Sequence, residues 1–148
     1  MCKEWHNYDN FKDWCLTQSN YNKWINAGTK EFALDKDIIP MKKENRYCPE
    51  NCCFVPTRVN SLFTAANKIR GTLPIGVCKD RDKFRVTLKH NGKTKNLGSF
   101  STPEAAFQVY KAYKEDVIQT IANEEIILGN ITQECYNSMV RWKIKITD

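Results

Sequence analysis

Histidine and long apolar runs are the features that this chain of 148 residues has least of. Histidine occurs only at positions 6 and 90, too far apart in sequence to form a metal-ligand pair. No apolar run approaches the ~20 residues that a membrane-spanning helix needs. Residues 1–10 also lack the apolar core of a signal peptide. These absences predict a protein with no membrane partner and a cytoplasmic location.

Cysteine, in contrast, is plentiful, with seven residues in the chain. An odd number of cysteines scattered through a chain without secretion signals favours reduced thiols over a disulfide framework. The spacing Cys48-x3-Cys52-Cys53 raises the alternative of a zinc site completed by Cys2 or Cys15. Because no second pair has ligand spacing, buried thiols are the favoured interpretation.

Basic charge is concentrated in one stretch. Residues 68–96 contain nine Lys or Arg and two Asp, a net charge of +7, whereas the whole chain carries +6. Inside this stretch, residues 83–89 alternate strictly, so a strand would turn Phe84, Val86 and Leu88 to one face and Arg85, Thr87 and Lys89 to the other. A cationic sheet face suits the DNA major groove, which admits a β-ribbon, although such a face can also be simply solvated.

The first half of the chain predicts a short unit of mixed structure. Trp5, Phe11, Trp14 and Cys15 recur at helical spacing, which predicts a short helix whose aromatic face packs in the core. Residues 32–40 then resemble a strand that ends at a proline, and a charged loop over residues 42–46 leads to a second strand at residues 52–55. A helix is predicted to begin at Pro56 or Thr57 and to run to about Ala66.

A boundary is predicted at residues 71–74, GTLP, which divides the chain into segments 1–70 and 71–148. Beyond it, residues 75–79, 83–89 and 93–100 predict a three-stranded meander, with a hairpin turn at residues 90–92. Residues 101–104, STPE, predict the start of a long helix. Its stripe of Ala106, Phe107, Tyr110, Tyr113, Val117 and Ile121 should cover the sheet face that carries Phe84, Val86, Leu88 and Leu97. Thr132 is expected to cap a final helix with Tyr136, Met139, Val140 and Trp142.

Residues 74–122 resemble the AP-two/ethylene-response-factor DNA-binding domain. The resemblance is carried by Gly76-Val77, by Phe84-x-Val86-x-Leu88 and above all by residues 96–106, NLGSFSTPEAA. In that family the sheet lies in the major groove and a helix supports it from behind. Transferred by position, the resemblance implies base-facing side chains at Arg85, Thr87, Lys89, Thr94 and Asn96, and phosphate contacts from Lys79, Arg81, Lys83, Lys93 and Lys95.

Residues 34–60 resemble the HNH (His-metal finger) endonuclease module of phage and mobile-element proteins, through LDKDI at 34–38, YCPENC at 47–52 and Val59-Asn60. The resemblance implies Asn51 as the loop residue and Asp35 with Asn60 as ligands of magnesium or manganese. The Asp-His pair of that family falls on Asp35-Lys36, or on Lys36-Asp37 after a shift of one residue. Lys36 or Asp37 therefore occupies the position of the catalytic base, and a protonated lysine cannot accept a proton.

Together these features predict an α+β protein with a degenerate ββα unit, a three-stranded antiparallel sheet on a long helix, and a C-terminal helix. The expected function is binding of double-stranded DNA by a protein of phage or mobile-element origin, in the cytoplasm of a host or infected bacterial cell. One alternative is a metal-dependent homing or nicking endonuclease of the HNH type. A second is a phage protein that binds and inhibits a host defence or replication protein.

Overall fold

The chain has an α+β fold that divides into two compact units. A computed structural model describes residues 1–28, 30–40, 46–63, 71–90 and 92–148. The first unit comprises Met1–Phe63 and Thr120–Arg141, and the second comprises Thr64–Gln119 and Trp142–Asp148. Several sequence predictions fall outside the described residues, namely the loop at 42–45, the helix end at 64–66, the cations Lys68 and Arg70, and Asn91 of the hairpin turn.

Short elements build the first unit. They are a 3-10 helix at Glu4–His6, α1 at Tyr8–Thr17, α2 at Tyr21–Ala27, β1 at Phe32–Asp35, β2 at Cys53–Pro56 and α3 at Thr57–Phe63. A later helix, α5 at Gln133–Val140, also belongs to this unit. The strands β1 and β2 pair antiparallel, with Phe32 opposite Pro56 and Asp35 opposite Cys53. This confirms the predicted order of strand, loop, strand and helix.

The predicted N-terminal helix is interrupted at Asn7. Its extended backbone (φ −88°, ψ 121°) separates the 3-10 turn from α1, and its side chain caps α1 by accepting the N–H of Asp9 at 2.9 Å. The helix α2, in a stretch too polar to predict one, begins after Asn20. Trp5, Phe11 and Trp14 form the expected aromatic cluster, and Trp24 stacks on Phe54 at 3.9 Å.

The first strand ends earlier than predicted, at Asp35 instead of near Pro40. One carboxylate oxygen of Asp35 accepts the N–H groups of Asp37 and Ile38, both at 2.8 Å. This side-chain bridge closes a turn and diverts the backbone from the strand ladder. Ile38 and Ile39 are nevertheless buried, so the apolar run lies in the core without continuing the strand.

The two predicted segments, 1–70 and 71–148, differ from the observed units because Thr120–Arg141 clusters with the first unit. Buried polar contacts explain this. The Asn20 side-chain amide donates to the carbonyls of Phe54 and Asn130, both at 2.8 Å. Glu125, 1% exposed, pairs with Arg58 at the start of α3 and accepts the Asn130 side-chain N–H at 2.7 Å. Such pairings between distant segments leave no periodic signal in the sequence.

The second unit contains an antiparallel sheet of three strands in the order β3-β4-β5, formed by Val77–Asp80, Lys83–His90 and Lys93–Phe100. The long helix α4, Pro103–Ile127, begins with Thr102 accepting the Ala105 N–H at 3.2 Å and with Glu104 in its first turn. Its residues up to Gln119 belong to this unit. The three predicted strands and the long helix are confirmed, and Thr132 caps α5 as predicted, although Trp142 lies beyond that helix.

The three-stranded sheet packs closely against α4. Val77, Val86 and Leu88 are buried on the strands, as are Ala106, Phe107 and Tyr110 on α4. At Gly76, with φ +74°, an added Cβ would lie 1.9 Å from the Tyr110 ring, so only glycine fits the approach of strand to helix. Among the described residues, no helix combines the length and the apolar character that crossing a membrane requires.

Candidate nucleic-acid interface

One face of the three-stranded sheet carries the predicted basic side chains of β4. Val86 and Leu88 are 0% and 3% exposed, whereas Lys83, Arg85 and Lys89 are exposed and Thr87 is half-buried. The pleat of a strand sends alternate side chains to opposite faces, so these four polar residues share the face opposite the buried pair. We call the face of Lys83, Arg85, Thr87 and Lys89 the open face. The predicted alternation of β4 is therefore observed.

Strand β5 adds polar side chains to the open face. Directly opposed residues of an antiparallel pair lie on the same side of the sheet. The register places Thr94 opposite Lys89, Asn96 opposite Thr87 and Ser99 opposite Arg85. All three β5 residues are exposed. Thr94 and Asn96 thus lie where the sequence predicted them, and Ser99 is an addition that the prediction missed.

A β-bulge makes this arrangement compatible with a packed sheet. Asn96 and Phe100 are an even number of residues apart, so a regular strand would place them on the same face. Phe100, however, pairs with Phe84 on the helix side, and the register shifts between Val86 and Thr87, leaving Leu97 as the extra residue. The bulge therefore reverses the alternation of β5 and turns Thr94 and Asn96 outward.

The predicted phosphate contacts do not all lie on the open face. Lys79 pairs with Phe84 and Lys93 with His90, positions of the helix side by the same alternation. Lys95 pairs with Leu88, and its ammonium lies 2.8 Å from the Tyr113 hydroxyl and 4.5 Å from the centre of that ring. The bulge explains the placement of Lys93 and Lys95, because it shifts the alternation of β5 by one residue.

Strand β3 contributes an acidic residue and a thiol to the open face. Cys78 pairs with Arg85 and Asp80 with Lys83. The Asp80 carboxylate lies 3.4 Å from the Arg85 guanidinium, and both side chains remain more than two-fifths exposed. A hydrogen bond with Cys78 and the charge of Asp80 raise the pKa of Arg85, so its cation is secure at any physiological pH. The ion pair with Asp80 therefore restrains the Arg85 side chain and leaves its guanidinium exposed.

An open cavity lies at the turn between β3 and β4. It has a volume of about 420 Å³ and is lined by Asp80, Arg81, Asp82, Lys83 and Ser99. Arg81 adopts a left-handed backbone (φ 55°), which the tight two-residue connection imposes. Arg81 and Lys83 therefore border a concave end of the open face together with the carboxylates of Asp80 and Asp82.

The residues that resemble a nuclease site lie in the first unit, where Asp35 ends β1. Asp35 is 6% exposed, and burial raises the pKa of its carboxyl group, partly offset by the backbone hydrogen bonds from Ile38 and Asp37. The Lys36 ammonium lies 2.7 Å from the Asp37 carboxylate. This hydrogen bond raises the pKa of Lys36. At the predicted base position the chain therefore holds an ion pair whose lysine is protonated.

Asn51 and Asn60 differ in burial and in the element that carries them. Asn51 is buried, and its side-chain amide donates to the Arg46 carbonyl at 3.3 Å, a contact that stabilises the loop before β2. Asn60 is half-buried on α3. The predicted ligand Asp35 already uses one oxygen to hold its turn, and the charges of both Asp37 and Lys36 act on its carboxyl group. With one oxygen committed to the backbone N–H groups of that turn, the Asp35 carboxylate has less capacity left to bind a divalent cation.

The cysteines behave as core residues. All seven are free thiols and six are buried. Cys2, Cys48 and Cys52 pack with Trp5 in one apolar cluster, and burial raises the pKa of Cys52 to about 12. Metal-binding cysteines act as thiolates, which this environment disfavours. Within residues 1–28, 30–40, 46–63, 71–90 and 92–148, no three His, Cys, Asp or Glu side chains are grouped to hold a metal ion.

Comparison with models of protein families, with curated proteins and with solved structures finds no match to this chain. The resemblances to AP-two-like and HNH-like modules therefore remain predictions from the sequence motifs.

Proposed function

We propose that this protein binds double-stranded DNA through the open face of the sheet in its second unit. The observation that carries the proposal is the composition of that face, on which three cations, Lys83, Arg85 and Lys89, stand among exposed hydrogen-bonding side chains. The major groove is wide enough for a β-ribbon and exposes the base edges that such side chains can contact. Cations along the same strand offer partners to the phosphates on either side.

The side chains of the open face divide into two roles. Arg85 lies on the central strand and is restrained by Asp80, which suits a bidentate contact with the O6 and N7 atoms of guanine. Lys83 and Lys89 lie near the two ends of the same strand, where flexible ammonium groups suit phosphate contacts. Asp80 would repel phosphates close to it, so it favours one orientation of the duplex over others.

A rigid support lies behind the open face. The packing of Val86 and Leu88 fixes the central strand, and the Lys95–Tyr113 contact ties β5 to α4. A binding surface that is held in place by packed elements loses little conformational entropy when it binds. The helix α4 supports the sheet and does not itself contact DNA.

The first unit is proposed to be a degenerate nuclease module, consistent with a phage or mobile-element origin. A general base must accept a proton, and Lys36 is held protonated by Asp37. Asp35 has one oxygen committed to its turn. These contacts argue against efficient cleavage, which supports a protein that binds DNA without cutting it.

Paired substitutions of equal charge test the proposed binding face. Arg85→Ala with Lys89→Ala removes two cations from the open face, and Lys79→Ala with Lys93→Ala removes two from the helix side of the same sheet. Fluorescence anisotropy with a labelled random duplex should show that the first pair weakens binding by at least ten-fold at low salt and flattens the dependence on salt, at ~0.9 per lost phosphate contact. The second pair should change affinity less than three-fold. Equal losses for both pairs, or no binding by the unmodified protein, would contradict the proposal.

A further inference from the structure

Asn96 is anchored in a way that limits what it can recognise. Its side-chain Oδ1 accepts the backbone N–H of Gly98 at 3.0 Å. The bond spans the bulge, because Leu97 between them is the extra residue of the register. Gly98 has φ +120°, a backbone conformation that residues with a Cβ rarely adopt, so this glycine is what allows its N–H to reach Asn96.

The orientation of the Asn96 amide follows from this contact. With Oδ1 turned back to its own strand, the Nδ2 group is the end of the amide left for a ligand on the open face. Asparagine specifies adenine by a bidentate contact, in which Oδ1 accepts from N6 and Nδ2 donates to N7 of the same base. That contact needs both atoms directed at one base edge, and the bond to Gly98 directs Oδ1 elsewhere.

We propose that Asn96 is a donor-only contact residue that recognises a hydrogen-bond acceptor of the duplex and does not specify adenine. The inference rests on the proposed DNA-binding function and deepens it. The acceptor is a base-edge atom, namely guanine O6, thymine O4 or the N7 that guanine and adenine share, or it is a phosphate oxygen. Gly98 is the positioning residue, since it holds the amide in the donor-only orientation.

Two substitutions separate the donor from the turn. Asn96→Asp keeps an oxygen that accepts the Gly98 N–H and loses the donor, whereas Asn96→Ala loses both. Amide hydrogen exchange should therefore show that Gly98 stays protected in Asn96→Asp and loses protection in Asn96→Ala. Gln108→Glu, on an exposed position of α4, makes the same change of charge away from the open face and serves as the matched control.

Duplex affinity provides the decisive measurement. Asn96→Asp should weaken binding about ten-fold, as expected when a hydrogen bond is lost and a carboxylate faces DNA acceptors. Gln108→Glu should bind within two-fold of the unmodified protein. If Asn96→Asp binds as well as the unmodified protein while Arg85→Ala with Lys89→Ala weakens binding, the donor role is wrong and the proposed function stands.

Selection of bound sequences from a randomised duplex then identifies the acceptor. Loss of a guanine, thymine or common purine preference at one position in Asn96→Ala assigns a base contact, and equal weakening across all sequences assigns a phosphate. Loss of a preference for adenine over guanine would overturn the inference. Absence of duplex binding by the unmodified protein would overturn both this inference and the function on which it rests.

Discussion

Lys95 of β5 donates a hydrogen bond to the hydroxyl of Tyr113 on α4, with 2.8 Å between the two atoms, and its ammonium lies 4.5 Å from the centre of the same ring. Lys95 therefore lies on the helix side of the sheet, where it connects β5 to α4. Lys83, Arg85 and Lys89 lie on the opposite, open face. A high local charge is therefore not the same as a high charge on one face. The register of the strands decides which cations a ligand meets.

Tyr113→Phe should lower the stability of the protein with little effect on DNA affinity. The substitution removes the hydroxyl that accepts from Lys95 and keeps the ring, so the expected loss is ~0.5–1.5 kcal/mol, the usual net contribution of a hydrogen bond. Urea unfolding followed by tryptophan fluorescence measures it. An affinity loss as large as that of the Arg85 and Lys89 pair would show that the helix side of the sheet contacts DNA.

Leu88→Ala should destabilise the protein more than Phe84→Ala, although phenylalanine is the larger residue. Leu88 is 3% exposed, and truncating a fully buried leucine costs ~2–5 kcal/mol. Phe84 is only half-buried, so its loss should fall below the ~3–5 kcal/mol of a fully buried phenylalanine. Thermal melts of the two variants, with Thr94→Ala as an exposed control, give the ranking. The opposite ranking would show that the tightest packing lies near Phe84, at the start of β4, and not near Leu88.

The sequence predicted the α+β class, the three strands and the long helix because each carries a periodic apolar pattern or a capping signal. It also predicted the open face of β4, whose alternation is unbroken. The bulge was not predicted, since Thr94 and Asn96 were expected to face outward and Leu97 inward, as in an unbroken strand. The same alternation places Lys93 and Lys95 on the face of Leu97, so their position on the helix side could have been predicted from the sequence.

Other features could not be predicted from local patterns. The end of β1 depends on one oxygen of Asp35 capturing two backbone N–H groups, which competes with an apolar run that favours a strand. The assignment of Thr120–Arg141 to the first unit depends on contacts of Asn20 and Arg58 with residues far along the chain. Hydrogen bonds between distant segments have no period, so only the folded chain reveals them.

Lys114 should make stability depend on alkaline pH. This side chain on α4 is 6% exposed, and burial lowers its pKa from 10.5 to about 8. Between these two values the unfolded chain holds a proton that the folded chain has released, so the free energy of unfolding rises as pH increases from about 8 to 10.5. Below pH 8 both states are protonated and the cost of burying the charge is fully present. The helical period places position 114 on the buried stripe, four residues after Tyr110 and seven after Phe107, although lysine is rarely buried.

Lys114→Met tests this dependence. The substitution keeps the apolar stem of the side chain and removes the charge, so the variant should be more stable at pH 7 and should lose the part of the alkaline rise that Lys114 contributes. Chemical denaturation at pH 7, 8, 9 and 10 compares it with Lys111→Met, whose ammonium is paired with Glu115 at 2.7 Å. Parallel pH profiles for Lys114→Met and the unmodified protein would show that the buried Lys114 does not cause the alkaline rise in stability.

Cleavage of DNA is the last prediction, and it depends on the ion pair between Lys36 and Asp37. The unmodified protein should not nick supercoiled plasmid efficiently with magnesium or manganese, because the residue at the base position is a protonated lysine whose pKa is raised further by Asp37. Lys36→His introduces a group that accepts protons near neutral pH and removes the ammonium that pairs with Asp37. Nicking by this variant should exceed that of the unmodified protein, whereas Lys12→His, an exposed position on α1, should leave it unchanged. Rapid nicking by the unmodified protein that Asn60→Ala abolishes would instead identify an active endonuclease, and the first unit would then be catalytic despite its missing histidine.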